Sequence, residues 1–196
     1  MNVRRPIGIA LLLSFCAPLV ALPALAQDAA MPAGVKGEMM MWIKDAESKL
    51  AELSEAMPEA KYGWRPVKGV RTVGEIYMHV ATANFGIPSF LGVKPPEGFD
   101  PMKHEKSLTK KADITRALKA SFAHMEQALM NASDEDMDKP AEFFGMKTTA
   151  RGAYLLLLSH AHEHLGQSIA YARSNNVTPP WTAREQAAAQ QEKEKK

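Results

Sequence analysis

Cysteine is almost missing from this chain. Its 196 residues hold one, Cys16, and that one sits in an apolar N-terminal stretch with the marks of a cleavable export signal. Arg4 and Arg5 form a basic start, Ile7 to Val20 an apolar run, and Ala24-Leu25-Ala26 a small-x-small site before Gln27. Phe15 does not fit the residue that lipoprotein processing requires before a cysteine. Cleavage after Ala26 would leave no thiol, which excludes disulfides, thiolate ligands and a cysteine nucleophile. It also suits an oxidising compartment, so a periplasmic or secreted location is expected.

Other absences narrow the function classes. Neither charge sign is in excess: without Arg4 and Arg5, 22 basic side chains face 22 acidic ones. No basic stripe for phosphate neutralisation results, so no nucleic-acid partner is expected. After the N-terminal run nothing is apolar enough to span a bilayer, so no membrane anchor is expected once the signal is removed. There is no internal repeat and no strand-period segment.

What remains is helical periodicity. A leader, residues 27–36, contains Pro and Gly and is expected to be mobile. A first helix is predicted from Gly37 to Met57, where Trp42, Ile43, Ala46, Leu50 and Leu53 recur at three- and four-residue steps. Thr72-Val73-Gly74-Glu75 is a capping box opening a second helix, with Ile76, Val80 and Ala83 on its core stripe and His79 between them. Pro88 and the Pro- and Gly-containing run Gly92 to Lys106 form a connection longer than adjacent antiparallel helices need, so it should cross the bundle end. A third helix is predicted from Lys110 to Asn131. Pro140 to Lys147 reads as a structured loop. A fourth helix, capped by Thr148 or Thr149, should run to Asn175, with Leu155 to Leu158 apolar on every side as in a fully buried helix. Asn175-Asn176 suits a left-handed C-cap, Pro179-Pro180 forbids continuation, and Trp181 should fold back. Residues 182–196 read as a charged, solvated tail, partly helical or disordered. The expected fold is all-α: a four-helix bundle over residues 37–181 with a long crossover between helices two and three.

Half of the six histidines fall in Ser159-His160-Ala161-His162-Glu163-His164. On a helix His160 and His164 share a face, while His162 points about 200° away. Two imidazoles one turn apart can clamp a transition metal, and His79 on a facing helix would make a third nitrogen donor. Three protein ligands leave one position open, as in catalytic rather than structural zinc sites. The same pattern also fits histidines satisfied within a core, and spacing leaves both readings open. Gln167, one turn beyond His164, is placed to orient that imidazole. His104 reads as a solvated loop residue, His124 as lying at the edge of its helix stripe, His162 as a rim group and Glu163 as a solvated carboxylate. His160-x-x-Glu163-His164 also matches an inverted zinc-peptidase motif, but too little chain follows to supply that motif's downstream carboxylate.

Trp64-Arg65-Pro66, Val73-Gly74-Glu75-Ile76-x-x-His79, His160-x-x-x-His164-x-Gly166-Gln167 and Pro179-Pro180, in this order, resemble the DinB/YfiT-like family from about Val35 to Trp181. The resemblance implies a four-helix bundle with a long second crossover and a divalent metal held by three histidines, which map onto His79, His160 and His164. Characterised members of that family include metal-dependent transferases and isomerases that use small thiols. This chain departs from the usual case in its export signal, and in Leu165, where many relatives carry Arg. Arg65 and Arg151 are candidate contacts for a substrate carboxylate.

The function expected is that of a metal-dependent enzyme, a transferase or hydrolase, whose open metal position activates water or a thiol toward a small molecule that the sequence does not name. Zinc or nickel stands ahead of iron or copper as the divalent ion, since imidazole suits all four. The alternative is a non-catalytic exported bundle that binds a metal or small molecule. The apolar bundle surface allows a homodimer.

Overall fold

The computed structural model describes residues 31–195. The expected signal, residues 1–26, and the first part of the expected leader lie outside the described residues. Four long helices build the fold: α1 (Gly34–Ala56), α2 (Val73–Gly86), α4 (Lys111–Asn131) and α6 (Ala150–Ser174). Between them stand two single-turn helices, α3 (Pro101–His104) and α5 (Asp134–Met137), and a short hairpin, β1 (Pro140–Phe143) and β2 (Met146–Thr149). A last helix, α7, spans Pro180–Glu194.

Each long helix packs on two others, closing the ring α1–α4–α2–α6, so that α1 and α2 stand diagonally opposite. Ile43, Leu50, Ile76, Val80, Leu118, Phe122 and Leu157 are sealed in its centre. These are the positions the three- and four-residue spacing selects. The crossover from α2 to α4 leaves α2 through a 3-10 turn, Ile87–Leu91, whose proline near its start ends the α-helical ladder.

Local chemistry sets the helix ends. Thr72 accepts from the Glu75 amide, and the Glu75 carboxylate takes the Thr72 amide at 2.8 Å, completing the capping box. This fixes where α2 begins, and so where His79 falls along it. Gly74 lies against the Tyr62 carbonyl and Ile114, where an added Cβ would sit 3.0 Å from Ile114 Cδ1. Thr149 caps α6 by accepting from the Gly152 amide. Asn176, at φ 59°, takes the left-handed conformation after the C-terminus of α6.

Several details differ from the sequence reading. α1 begins three residues earlier, within the expected leader, and Lys36 is tied by its ammonium to the Met130 and Ala132 carbonyls. The loop after α5 is an antiparallel hairpin pairing Pro140 with Thr149 and Phe143 with Met146. Phe144 and Gly145 both have positive φ, the backbone of a tight two-residue hairpin turn. Strands of four residues are too short to show a period against the surrounding helices. α6 is not buried on all sides, since Leu155 is 47% exposed. Of the two alternatives for the tail the helical one holds: Ala, Gln, Glu and Lys are strong helix formers and Pro180 sits in the first turn. Trp181 packs on the core, and Arg184 forms a forked pair with Glu52 of α1 at 2.7 and 3.2 Å.

Candidate metal centre

The facing sides of α2 and α6 bring His79, His160 and His164 together. One nitrogen from each ring lies within 4.8 Å of the other two. The ring centroids are 4.5 to 4.9 Å apart, with steep angles between the planes. His160 Nε2 is 3.1 Å from His79 Nε2. His160 and His164 owe their shared face to the helical i, i+4 spacing, and His79 is added from a helix 81 residues earlier.

Two of the rings are oriented from behind. Glu105, in the crossover just after α3, accepts from His79 Nδ1 at 2.9 Å. Its carboxylate is also gripped by Arg71, with Nε to Oε1 at 2.6 Å and a second contact at 3.2 Å. Gln167 Oε1 accepts from His164 Nδ1 at 2.8 Å. The Gln167 amide donates to the Tyr171 hydroxyl, which donates in turn to the Arg71 carbonyl at 3.3 Å. The two orienting arms thus meet at Arg71. Placing the proton on Nδ1 leaves Nε2 of His79 and of His164 as bare lone pairs directed to the common centre.

Charge follows the same logic. Burial lowers the pKa of His79, and the nearby Arg71 guanidinium adds to this, against the opposing pull of Glu105. Burial, with the neighbouring His164 and His79, pushes His160 down to about 3. Burial alone would raise the Glu105 carboxyl, but Arg71 and His79 hold it below its ordinary range. His79 and His160 are therefore neutral at physiological pH and Glu105 is ionised. Neutral imidazoles backed by hydrogen bonds are the donor set that a divalent transition metal takes.

The spacing is also compatible with an ion. Two nitrogens at roughly 2.0–2.1 Å from a tetrahedral zinc stand about 3.3 Å apart, close to the 3.1 Å between His79 and His160. His160 Nδ1 is buried with no hydrogen-bond partner among the described residues, so this ring alone lacks an orienting arm. Beside the histidines an open cleft of about 500 Å³ is lined by Arg65, Arg71, Glu75, Glu105 and Gln167. Arg65 is held there by Glu75 at 3.5 Å.

The remaining candidates lie elsewhere. His162 turns away, with Nδ1 at 3.0 Å from the Leu158 carbonyl and its ring edge-on to Trp42. Glu163 is exposed. Arg151 pairs with Asp138 beside the hairpin and not at the histidine cleft. His104 is not a solvated loop residue: its Nδ1 is 2.8 Å from Thr82 Oγ1, its ring packs against Phe85 and Phe99, and burial lowers its pKa. His124 is half-buried on α4, with its ring beside Phe85. Sequence reasoning missed Glu105, Arg71 and Tyr171. Glu105 and Arg71 fall in irregular connections, where periodicity assigns no face. Tyr171 has a sequence signal, since it lies one turn beyond Gln167.

Comparison with known proteins adds to this geometry. The family model described as the DinB superfamily matches residues 43–168. Among solved structures, a DinB-like protein from Bacillus cereus is 20% identical with a TM-score of 0.65, covering 74% of this chain and 95% of its own. A DinB-like protein from Bacillus subtilis is also 20% identical, with a TM-score of 0.58 and coverage of 72% and 93%. YfiT from Bacillus subtilis, described as a probable metal-dependent hydrolase with an unusual four-helix bundle topology, is 13% identical, with a TM-score of 0.61 and coverage of 78% and 95%. No curated protein matches.

Proposed function

The chain belongs to the DinB superfamily, and we propose that it is an exported metal-dependent enzyme, a hydrolase or transferase, with His79, His160 and His164 as ligands of one divalent ion. The observation that carries this reading is the convergence of three ring nitrogens, two from rings already turned by Glu105 and Gln167. When bound, such an ion lowers the pKa of a water or thiol that it coordinates, or polarises a carbonyl. The description of YfiT as a probable metal-dependent hydrolase supports the same class.

The chain's own residues supply the rest. Glu105 and Gln167 fix ring orientation and tautomer, so that neither His79 nor His164 has to reorganise on binding. Arg71 holds Glu105 ionised and in place. The cleft lined by Arg65, Arg71 and Gln167 runs open to solvent beside the orienting arms of the site. Arg65 is placed at the cleft wall to meet a carboxylate or other anion on that molecule once Glu75 yields it.

Elemental analysis of untagged protein tests the assignment. We expect one equivalent of zinc or nickel in the parent, and less than a tenth of that after His79→Ala, His160→Ala and His164→Ala together. Full retention by the triple variant would refute the ligand set. Chelation should lower the melting temperature of the parent and leave the triple variant unmoved.

A further inference from the structure

A second cleft lies apart from the histidine centre and shares no lining residue with the cleft beside it. About 590 Å³ in volume, it opens between α4, the hairpin and the first turns of α6, where the crossover leaves α2. Its size falls within the usual range for small-molecule sites. Phe90, Leu91 and Ala128 give it an apolar wall, while Lys94, His124 and Tyr154 supply polar groups.

Three observations point to a ligand there. Tyr154 is only 1% exposed, and it lines the cleft. His124, on the same lining, has its Nε2 buried and without a partner among the described residues. Buried polar groups are nearly always satisfied, so the orphaned His124 nitrogen on this cleft indicates a group left for something the cleft receives. Burial pushes the Tyr154 phenol up to about 12, so it stays protonated and can donate.

The rim and the charge specify what is received. Phe90 is 48% exposed and packs against Phe144, with centroids 5.5 Å apart. Phe144 is 79% exposed and sits at φ 52°, a left-handed conformation that a side chain other than glycine's resists. The hairpin thus holds an aromatic ring out beside the entrance, where a flat apolar group would stack. The lining includes two ammonium groups and one carboxylate, and Asp136 is already paired with Lys139 at 2.5 Å. Lys94 has no carboxylate partner among the described residues and is the surplus charge.

We propose that this cleft binds a small aromatic carboxylate, its ring against Phe90, Leu91 and Ala128 and its carboxylate toward the Tyr154 hydroxyl and Lys94. The site is independent of the three-histidine reading, because none of its residues touches that centre.

Calorimetric titration of the full chain with phenylacetate and with its neutral analogue phenylacetamide tests this. Both should bind saturably at one site. Tyr154→Phe, which keeps the ring and so the packing, should weaken both, phenylacetate by about tenfold. Lys94→Met, at an exposed side chain, should weaken phenylacetate and spare phenylacetamide. His79→Ala should change neither. Absence of saturable binding up to about 10 mM, binding indifferent to both Tyr154→Phe and Lys94→Met, or binding lost in His79→Ala would each overturn the proposal. If Tyr154→Phe fails to fold, the contrast between the two probes in Lys94→Met decides.

Discussion

Glu105 holds His79 Nδ1 at 2.9 Å from a connection that belongs to none of the four long helices. The ring is presented by α2, but its rotation is set by the crossover. Positioning of this kind separates affinity for an ion from the stability of the bundle.

Glu105→Gln keeps the size of the side chain and removes its charge. It should weaken zinc binding by about 10- to 100-fold, read by competition with a chromophoric chelator. The melting temperature of the metal-free protein should move by no more than a few degrees, because the group lies at the edge of the core. Unchanged affinity would mean that His79 needs no carboxylate behind it.

Gln167→Ala leaves His164 Nδ1 without its acceptor and cuts the link to Tyr171. The expected loss in zinc affinity is again about tenfold or more. Gln167→Glu, which restores an acceptor, should recover most of it. Failure of the Glu variant to rescue would assign Gln167 to packing alone.

Glu47 on α1 titrates abnormally. Burial first, then the facing Glu126 carboxyl, raises its pKa to about 7. An acid whose folded pKa is raised binds more protons folded than unfolded between roughly pH 4.5 and 7, so stability falls as pH rises through that window. Glu47→Gln should therefore raise the melting temperature by a few degrees at pH 8 and by much less at pH 5. An equal gain at both would argue against a raised pKa at Glu47.

Gly74→Ala adds a Cβ at 3.0 Å from Ile114 Cδ1 and 3.3 Å from a Tyr62 ring carbon. Overpacking at this junction should cost about 1–3 kcal/mol, measured by urea unfolding. A neutral outcome would show that Ile114 can rotate away.

Most of the bundle was legible because four stripes repeat at helical spacing, and because Thr72 and Glu75 mark a helix start by chemistry rather than by pattern. His160 and His164 were legible as a pair for the same reason. Glu105 was not: in a segment without period, a carboxylate between Lys106 and His104 looks solvated, and only the path of the crossover brings it to His79. The hairpin escaped because Pro140 to Phe143 alternates over just four residues. The tail stayed open between two states because an Ala-, Gln- and Lys-rich run without an apolar stripe fits both an exposed helix and a disordered segment. Its docking rests on Trp181 and the Arg184–Glu52 pair, which composition does not reveal.

The packing of α2 against α6 has a consequence for biogenesis. With His79 and His160 81 residues apart, a growing chain carries only one histidine of the cluster until α6 has been made, and the three converge only when α6 docks against α2. A chain truncated before α6 therefore offers a single imidazole, and one in which α6 has not docked offers at most the His160–His164 pair, so neither presents the full three-nitrogen set. Metal retention would then act as a seal on completed folding, withheld from intermediates and granted only when the ring of four helices has closed.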